Sequence, residues 1–182
     1  LTAARWLKSQ RPQAQVAIGR GIRGVQRTLA PTLGLDNLAC DGSQFDRLFD
    51  DDDTFNVGNE RARVIAAPGH TRDSLAYLIG DALFTGDSIY MPDGGSARCD
   101  FPGGDARTLY RSIRRLFDAL PDDTRVFVCH DYGPGGREVR CETTVGAQRR
   151  ENIHVREGTG EDDFVAMREA RDATLAVPAL LL

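Results

Sequence analysis

The sequence is poor in the residues that mark several common protein classes. Its 182 residues include 3 His and 4 Cys, and the cysteines, at positions 40, 99, 129 and 141, form no C-x-x-C pair. This spacing excludes a zinc ribbon and a thioredoxin-like redox motif. A chain of this length builds a core without disulfides, so we expect reduced thiols and a cytoplasmic protein.

Two other absences restrict the partners. The 23 Lys and Arg are outnumbered by 27 Asp and Glu, so the basic surface that binds nucleic acid is missing. No apolar run approaches the roughly 18 residues needed to cross a bilayer, so no membrane span is predicted. What remains is an ordinary globular composition, with 41% hydrophobic and 27% charged residues, and a length that suits a single domain over residues 1–182.

Hydrophobic periodicity predicts a mixed α/β chain. Helices are expected at 1–9, 22–32, 105–120, 144–152 and 162–175, and strands at 16–19, 54–57, 63–66, 75–79, 82–85 and 125–129. Gly80-Asp81 joins two of these strands in a tight hairpin. The run from Asp50 to Asp53 predicts a solvated loop because like charges repel. A calcium site is the alternative, although the EF-hand pattern is missing.

Three side chains able to bind a metal each follow a predicted strand. They are His70, Asp87 and His130, in loops that a rigid sheet can aim. Imidazole and carboxylate ligands together suit zinc, iron or manganese. Each residue alone is also compatible with a structural role, and the third histidine, His154, is interpreted as structural. The occurrence of three such residues in this order favours a metal site.

The segments around these residues resemble the metallo-β-lactamase superfamily, on the motif Pro68-Gly69-His70-Thr71, the segment 75–87 and the strand before His130. Arg98-Cys99-Asp100-Phe101 and His130-Asp131-Tyr132 resemble its persulfide dioxygenase branch. The resemblance implies a four-layer αββα sandwich. The family's His-x-His-x-Asp-His motif, which precedes a helix beginning much like residues 1–4, is absent. We therefore expect residues 1–182 to be about the C-terminal two-thirds of the domain, with an apolar sheet face exposed.

The branch resemblance also implies a reaction. One Fe²⁺ would be held by His70, Asp87 and a His of the absent motif, leaving positions for O₂ and a substrate sulfur. A small-molecule persulfide such as glutathione persulfide would be oxidised to sulfite with release of the thiol. His130 would bind a second metal, as in dinuclear relatives, or form hydrogen bonds outside the metal shell, with Tyr132 beside it. Arg98 matches the family's arginine next to the metal, and the family often forms homodimers.

Two further residues have two interpretations each. Cys99, next to Arg98, is either a reactive low-pKa thiolate or a buried, incidental thiol. Arg137, in the glycine-rich loop 133–137, either clamps a carboxylate of glutathione bidentately or lies in a solvated turn.

Two other functions remain open. A glyoxalase II-like thioester hydrolase of the same fold would use a dinuclear zinc or iron site, with Asp87 bridging the metals and His130 binding the second. The turn Thr71-Arg72-Asp73-Ser74 departs from the commoner Thr-Pro-Gly-Ser and leaves the local loop shape open. The third possibility is an inactive fragment or binding module that retains the fold.

Overall fold

The computed structural model describes residues 3–176. Its helices are α1 (Ala4–Gln10), α2 (Ile22–Leu29), α3 (Ala106–Asp118), α4 (Val145–Glu151) and α5 (Glu161–Asp172). Its strands are β1 (Ala17–Gly19), β2 (Arg47–Phe49), β3 (Thr54–Val57), β4 (Glu60–Ala66), β5 (Leu75–Ile79), β6 (Ala82–Phe84), β7 (Arg125–Phe127) and β8 (Glu142–Thr144). The α/β class predicted from the sequence is confirmed.

The eight strands form two sheets. A six-stranded sheet has the order β3-β4-β5-β6-β7-β8 and is antiparallel except for the parallel pair β6-β7. That pair requires a crossover, which α3 supplies, and the other neighbours are joined by shorter turns. The second sheet is the parallel pair β1-β2. Because β6 and β7 are parallel, the loops that follow them leave the sheet at the same edge.

One face of the large sheet packs on the helices and forms the main core. Leu83 of β6 and Val126 of β7 are fully buried on this face, against the apolar stripe of α3. Along α3 the stripe consists of Leu109, Ile113, Leu116 and Phe117. The helix starts where expected because Asp105 accepts a hydrogen bond from Thr108 N at 2.7 Å, an N-cap that satisfies a free donor.

The opposite face carries aromatic side chains and is only partly covered. Phe49 of β2 stacks on Phe55 of β3 with ring centroids 4.9 Å apart, which joins the two sheets at one end. Further along, Phe84 stacks on Phe127 at 5.1 Å and remains 40% exposed. The described residues therefore form a sheet-on-sheet arrangement with an apolar area left open, as expected from the sequence.

The structure also corrects local expectations. Strands β2 and β8 were not predicted, because neither Arg-Leu-Phe nor Glu-Thr-Thr shows an alternating apolar pattern. The acidic run is the exposed turn that was expected, and its carboxylates also have partners: Asp50 pairs with Arg20 at 2.8 Å, Asp52 pairs with Arg63 at 2.5 Å, and Asp51 accepts from Ala66 N at 2.6 Å. No helix within residues 3–176 is long and apolar enough to cross a membrane.

Candidate metal centre

The loop after β4 places His70 through close backbone packing. Gly69 has φ +138°, and a Cβ built there would lie 2.3 Å from Leu109 Cα, so only glycine fits. Ser112 of α3 donates to Pro68 O at 2.7 Å, and Asp105 N donates to Gly69 O at 2.8 Å. The loop is thereby fixed to the first two turns of α3.

The protonation of the His70 ring follows from its contacts. Its Nδ1 lies 2.7 Å from Arg98 O, and because a carbonyl oxygen only accepts, Nδ1 carries the proton. Nε2 is the ring nitrogen that faces Asp87. A histidine fixed by a backbone carbonyl in this way is the usual arrangement of a metal ligand. The edge of the ring also contacts Phe101, with centroids 5.1 Å apart.

Asp87 lies between the two histidines. It follows β6 in a short 3₁₀ turn, Gly86–Ser88, which begins with Gly86 at φ +55°. One carboxylate oxygen, Oδ2, is 4.0 Å from His70 Nε2, and the other, Oδ1, is 3.1 Å from His130 Nε2. Oδ1 is buried and accepts no hydrogen bond from any described residue. A buried carboxylate oxygen without a donor is unfavourable unless a cation neutralises it.

His130 comes from the neighbouring parallel strand, β7, and lies at the more exposed end of the site. Its side chain is 55% exposed, and the ring stacks on Tyr132 with centroids 6.4 Å apart. Tyr90 meets Tyr132 edge-on at 5.7 Å. Burial, followed by the neighbouring Tyr132 and Asp87, raises the pKa of Tyr90, so its phenol stays protonated.

These donors fit a divalent metal in their chemistry. Two imidazoles and a carboxylate suit iron or zinc. The buried Asp87 Oδ1, which accepts no hydrogen bond, and the His70 ring fixed through Nδ1 are both compatible with a metal site. Among residues 3–176, no three His, Cys, Asp or Glu side chains are gathered closely enough to form a closed metal-binding group. The arrangement offers a partial set of candidate ligands, with Asp87 in the middle.

A cavity of about 480 Å³ opens beside His70. It lies between α2 and the loop 101–103, with His70 and the turn 71–73 between them. Its lining is mostly apolar, including Val25, Leu29 and Phe101. A largely apolar cleft next to polar reactive groups is the usual form of a small-molecule site.

The Arg137 guanidinium is fully engaged by protein partners, which does not favour a substrate clamp. Its guanidinium has five N–H donors, and all of them have partners. Asp93 accepts from Nε and Nη2, both at 2.6 Å, Asp131 accepts from Nη1 at 2.5 Å and Nη2 at 2.8 Å, and Glu138 O accepts at 2.9 Å. The residue instead fastens the His130 loop to Asp93. The turn itself is solvated, since residues 134–136 are exposed, although the Arg137 side chain is only 20% exposed.

Arg98 is adjacent to the site but is also paired. Its guanidinium binds both oxygens of Asp100, at 2.6 and 2.5 Å, and lies over the Phe101 ring at 5.2 Å. Its backbone carbonyl, rather than its charge, reaches His70.

The structure favours the interpretation of Cys99 as a buried thiol. It is 8% exposed, and burial, followed by the charge of Asp172, raises the pKa of its thiol to about 12. A reactive thiolate at Cys99 is therefore not supported, because the neighbouring arginine is already neutralised by Asp100.

Comparison with known proteins identifies the family. The family model "Metallo-beta-lactamase superfamily" matches residues 10–130, which include His70, Asp87 and His130. The chain belongs to this superfamily.

Several superfamily relatives match the chain along all or much of its length. A beta-lactamase hydrolase-like protein of Xylella fastidiosa is 51% identical over 100% of the chain and 41% of its own length. Glyoxylase B2 of Dictyostelium discoideum is 45% identical over 100% of the chain and 63% of its length. The human mitochondrial persulfide dioxygenase ETHE1 is 32% identical over 60% of the chain and 43% of its length. The chain thus spans less than two thirds of these relatives.

The crystal structure of ETHE1 from Myxococcus xanthus superposes on the whole chain. The TM-score is 0.75 at 32% identity, covering 100% of this chain and 67% of that one. The resemblance and the fold predicted from the sequence are confirmed.

Sequence reasoning missed two residues that lie beside the candidate ligands. Tyr90 lies in the Gly- and Pro-rich loop after Asp87. An aromatic residue in such a loop is the one feature of the sequence that could have indicated it. Asp131 belongs to the motif His130-Asp131-Tyr132, but no role was predicted for it. Its side chain is 2% exposed and also accepts from Arg140 N at 2.7 Å, so it anchors the loop that carries His130.

Proposed function

We propose that this chain forms part of the active site of a non-haem iron persulfide dioxygenase acting on a small-molecule persulfide such as glutathione persulfide. The observation that carries the proposal is the likeness to ETHE1 of M. xanthus over the whole chain. The human relative named persulfide dioxygenase supports it. Members of the superfamily are metal-dependent hydrolases or oxidoreductases, and we assign this chain to the oxidoreductases.

The reaction balances with water as the second oxygen source. Persulfide, O₂ and water give the thiol, sulfite and protons. The outer sulfur is oxidised, O₂ is reduced, and the S–S bond breaks with the inner sulfur leaving as the thiol.

Each site residue has a defined part in this chemistry. His70 Nε2 and the Asp87 carboxylate would hold ferrous iron, which would supply binding and activation of O₂ and of the substrate sulfur. Asp87 lowers the net charge of the site. His130 Nε2, 3.1 Å from Asp87 Oδ1, is placed to accept a proton released beside that carboxylate. Phe101, against His70, covers one side of the site and excludes water.

A glyoxalase II-like thioester hydrolase is the second candidate. A specific observation favours it: the two oxygens of Asp87 face different histidines, at 4.0 and 3.1 Å, as a carboxylate bridging two metals would. The Dictyostelium relative named glyoxylase also covers the whole chain.

Metal analysis and two activity assays distinguish these functions in the protein at its natural length. Iron near one equivalent, with rapid oxygen uptake on glutathione persulfide, is the expected result. Zinc together with hydrolysis of S-lactoylglutathione would establish the hydrolase instead. A protein that contains no metal and turns over neither substrate would instead be an inactive fragment or a binding module.

Two histidine variants sharpen the distinction. His70→Ala should abolish iron binding and oxygen uptake because it removes a direct ligand. His130→Ala should keep the iron and lower activity about 10- to 100-fold, the usual effect of a residue outside the metal shell. Loss of one metal of two in His130→Ala would contradict a mononuclear site.

A further inference from the structure

The cavity beside His70 contains one arginine side chain in its lining, Arg72. This residue stands in the turn Thr71-Arg72-Asp73-Ser74, directly after the predicted metal ligand. It is exposed, and no hydrogen bond or ion pair ties it to another residue within 3–176. The two arginines expected to bind substrate, Arg98 and Arg137, are both neutralised by carboxylates.

The backbone around Arg72 keeps its side chain beside the cavity. A Cβ built on Gly103 would lie 3.5 Å from both Cβ and Nε of Arg72, so the arginine stem passes over this glycine. Gly103 has φ +85°, which disfavours any side chain there. The arginine therefore extends along the rim formed by the loop 101–103.

The other charged residue in the lining does not cancel this charge. Asp73 packs against Gly21 at the start of α2, where a Cβ would lie 2.3 Å from Asp73 Cβ. A carboxylate near the positive end of a helix is favourably placed. Asp73 forms no ion pair with Arg72, so Arg72 remains available to an anion in the cavity.

From this arrangement we propose that Arg72 binds a carboxylate of the substrate's thiol moiety and so selects acidic thiols and persulfides over neutral ones. The inference rests on the proposed function, since the sulfur has to reach His70 and Asp87 from the same cavity. The apolar wall of Val25 and Leu29 would contact the methylene groups of the substrate. A guanidinium fits a carboxylate through paired hydrogen bonds, which gives orientation as well as affinity.

Calorimetric binding of S-methylglutathione, an unreactive analogue, tests the proposal separately from catalysis. The wild-type protein at its natural length should bind this acid at least about tenfold more tightly than its diethyl ester. Arg72→Gln should lose that preference, and Arg72→Lys should retain part of it. Arg27→Gln, on α2 but outside the cavity lining, removes the same charge and should change nothing.

A second variant tests the cavity itself. Gly24 lines the cavity, and a Cβ built there would meet no atom within 4 Å. Gly24→Leu should therefore fill the space without disturbing the fold, and it should weaken binding of the acid and the ester equally.

The outcomes separate this inference from the proposed function. The inference is overturned if the wild type does not bind S-methylglutathione, if Arg72→Gln binds it equally well, or if Gly24→Leu has no effect. Arg72-dependent binding without oxygen uptake on glutathione persulfide would support Arg72 and reject the dioxygenase. With a dioxygenase, Arg72→Gln should raise KM about tenfold and leave kcat nearly unchanged.

Discussion

His154 is a buried histidine held in its neutral form. It is 5% exposed, and its Nδ1 accepts a hydrogen bond from Ser96 N at 2.9 Å. Burial, followed by the charges of Arg168 and Arg171, lowers its pKa from 6.5 to about 4. The charged form is therefore much less favourable in the folded protein than in the unfolded chain.

This pKa predicts an acid-dependent loss of stability. Because the folded pKa lies below the unfolded value, the unfolded chain binds the proton first, and stability falls as pH drops from about 6.5 to about 4. The contribution is roughly 3 kcal/mol. His154→Asn keeps an acceptor for Ser96 N and removes the titration, so urea unfolding at pH 7 and pH 5 should differ less for the variant. An equal pH dependence in both proteins would contradict this account.

The loop from β4 to His70 depends on one glycine. At Gly69, φ is +138° and Leu109 occupies the space of a Cβ, whereas Gly24 in α2 has open space and an ordinary helical backbone. Gly69→Ala should lower the free energy of unfolding by about 2 kcal/mol or more and impair metal binding. The matched change Gly24→Ala should raise it by up to about 1 kcal/mol. Denaturant titration of both variants compares them directly.

Arg137 fastens the loop 131–140, which carries Tyr132, to Asp93. Its replacement by Gln leaves the buried Asp131 carboxylate without its counter-ion, so the loop should open more often. We expect limited proteolysis within 131–140 to become roughly tenfold faster. Arg140→Gln is the control on the same loop, because Asp131 bonds the backbone N–H of Arg140 and not its side chain. Equal proteolysis of the two variants would contradict a clamp at Arg137.

At the scale of the molecule, the partly covered face of the large sheet is an apolar surface. Phe84 is 40% exposed and stacks on Phe127 across the parallel pair of strands. Phe84→Ser should lower binding of a hydrophobic dye and cost about 1 kcal/mol, the value of an exposed aromatic pair. Val57→Ser, which removes a side chain that is 50% exposed at the edge of the sheet, should leave dye binding nearly unchanged. Similar dye binding by both variants would argue against an apolar patch at Phe84.

Several elements follow from local pattern. The apolar stripe of α3 identifies this helix, and the apolar runs of β5 and β6 are recognised by the Gly80 turn between them, whose φ of +58° suits a tight hairpin. The short strands β2 and β8 exist only because a neighbouring strand supplies their hydrogen bonds, which no local pattern records.

The sequence by itself determined the family, the α/β class and the order of His70, Asp87 and His130, because these depend on residue types and spacings along the chain. The tertiary structure decided which charges are free. Arg98 and Arg137 are paired with carboxylates at positions 100, 93 and 131, while Arg72 faces a cavity unpaired. It likewise decided that Cys99 is a buried thiol. The physical reason is that charge pairing and desolvation depend on distances in three dimensions, both for near neighbours such as Arg98 and Asp100 and for distant residues such as Arg137 and Asp93. These distances are set only once the sheet and helices have packed.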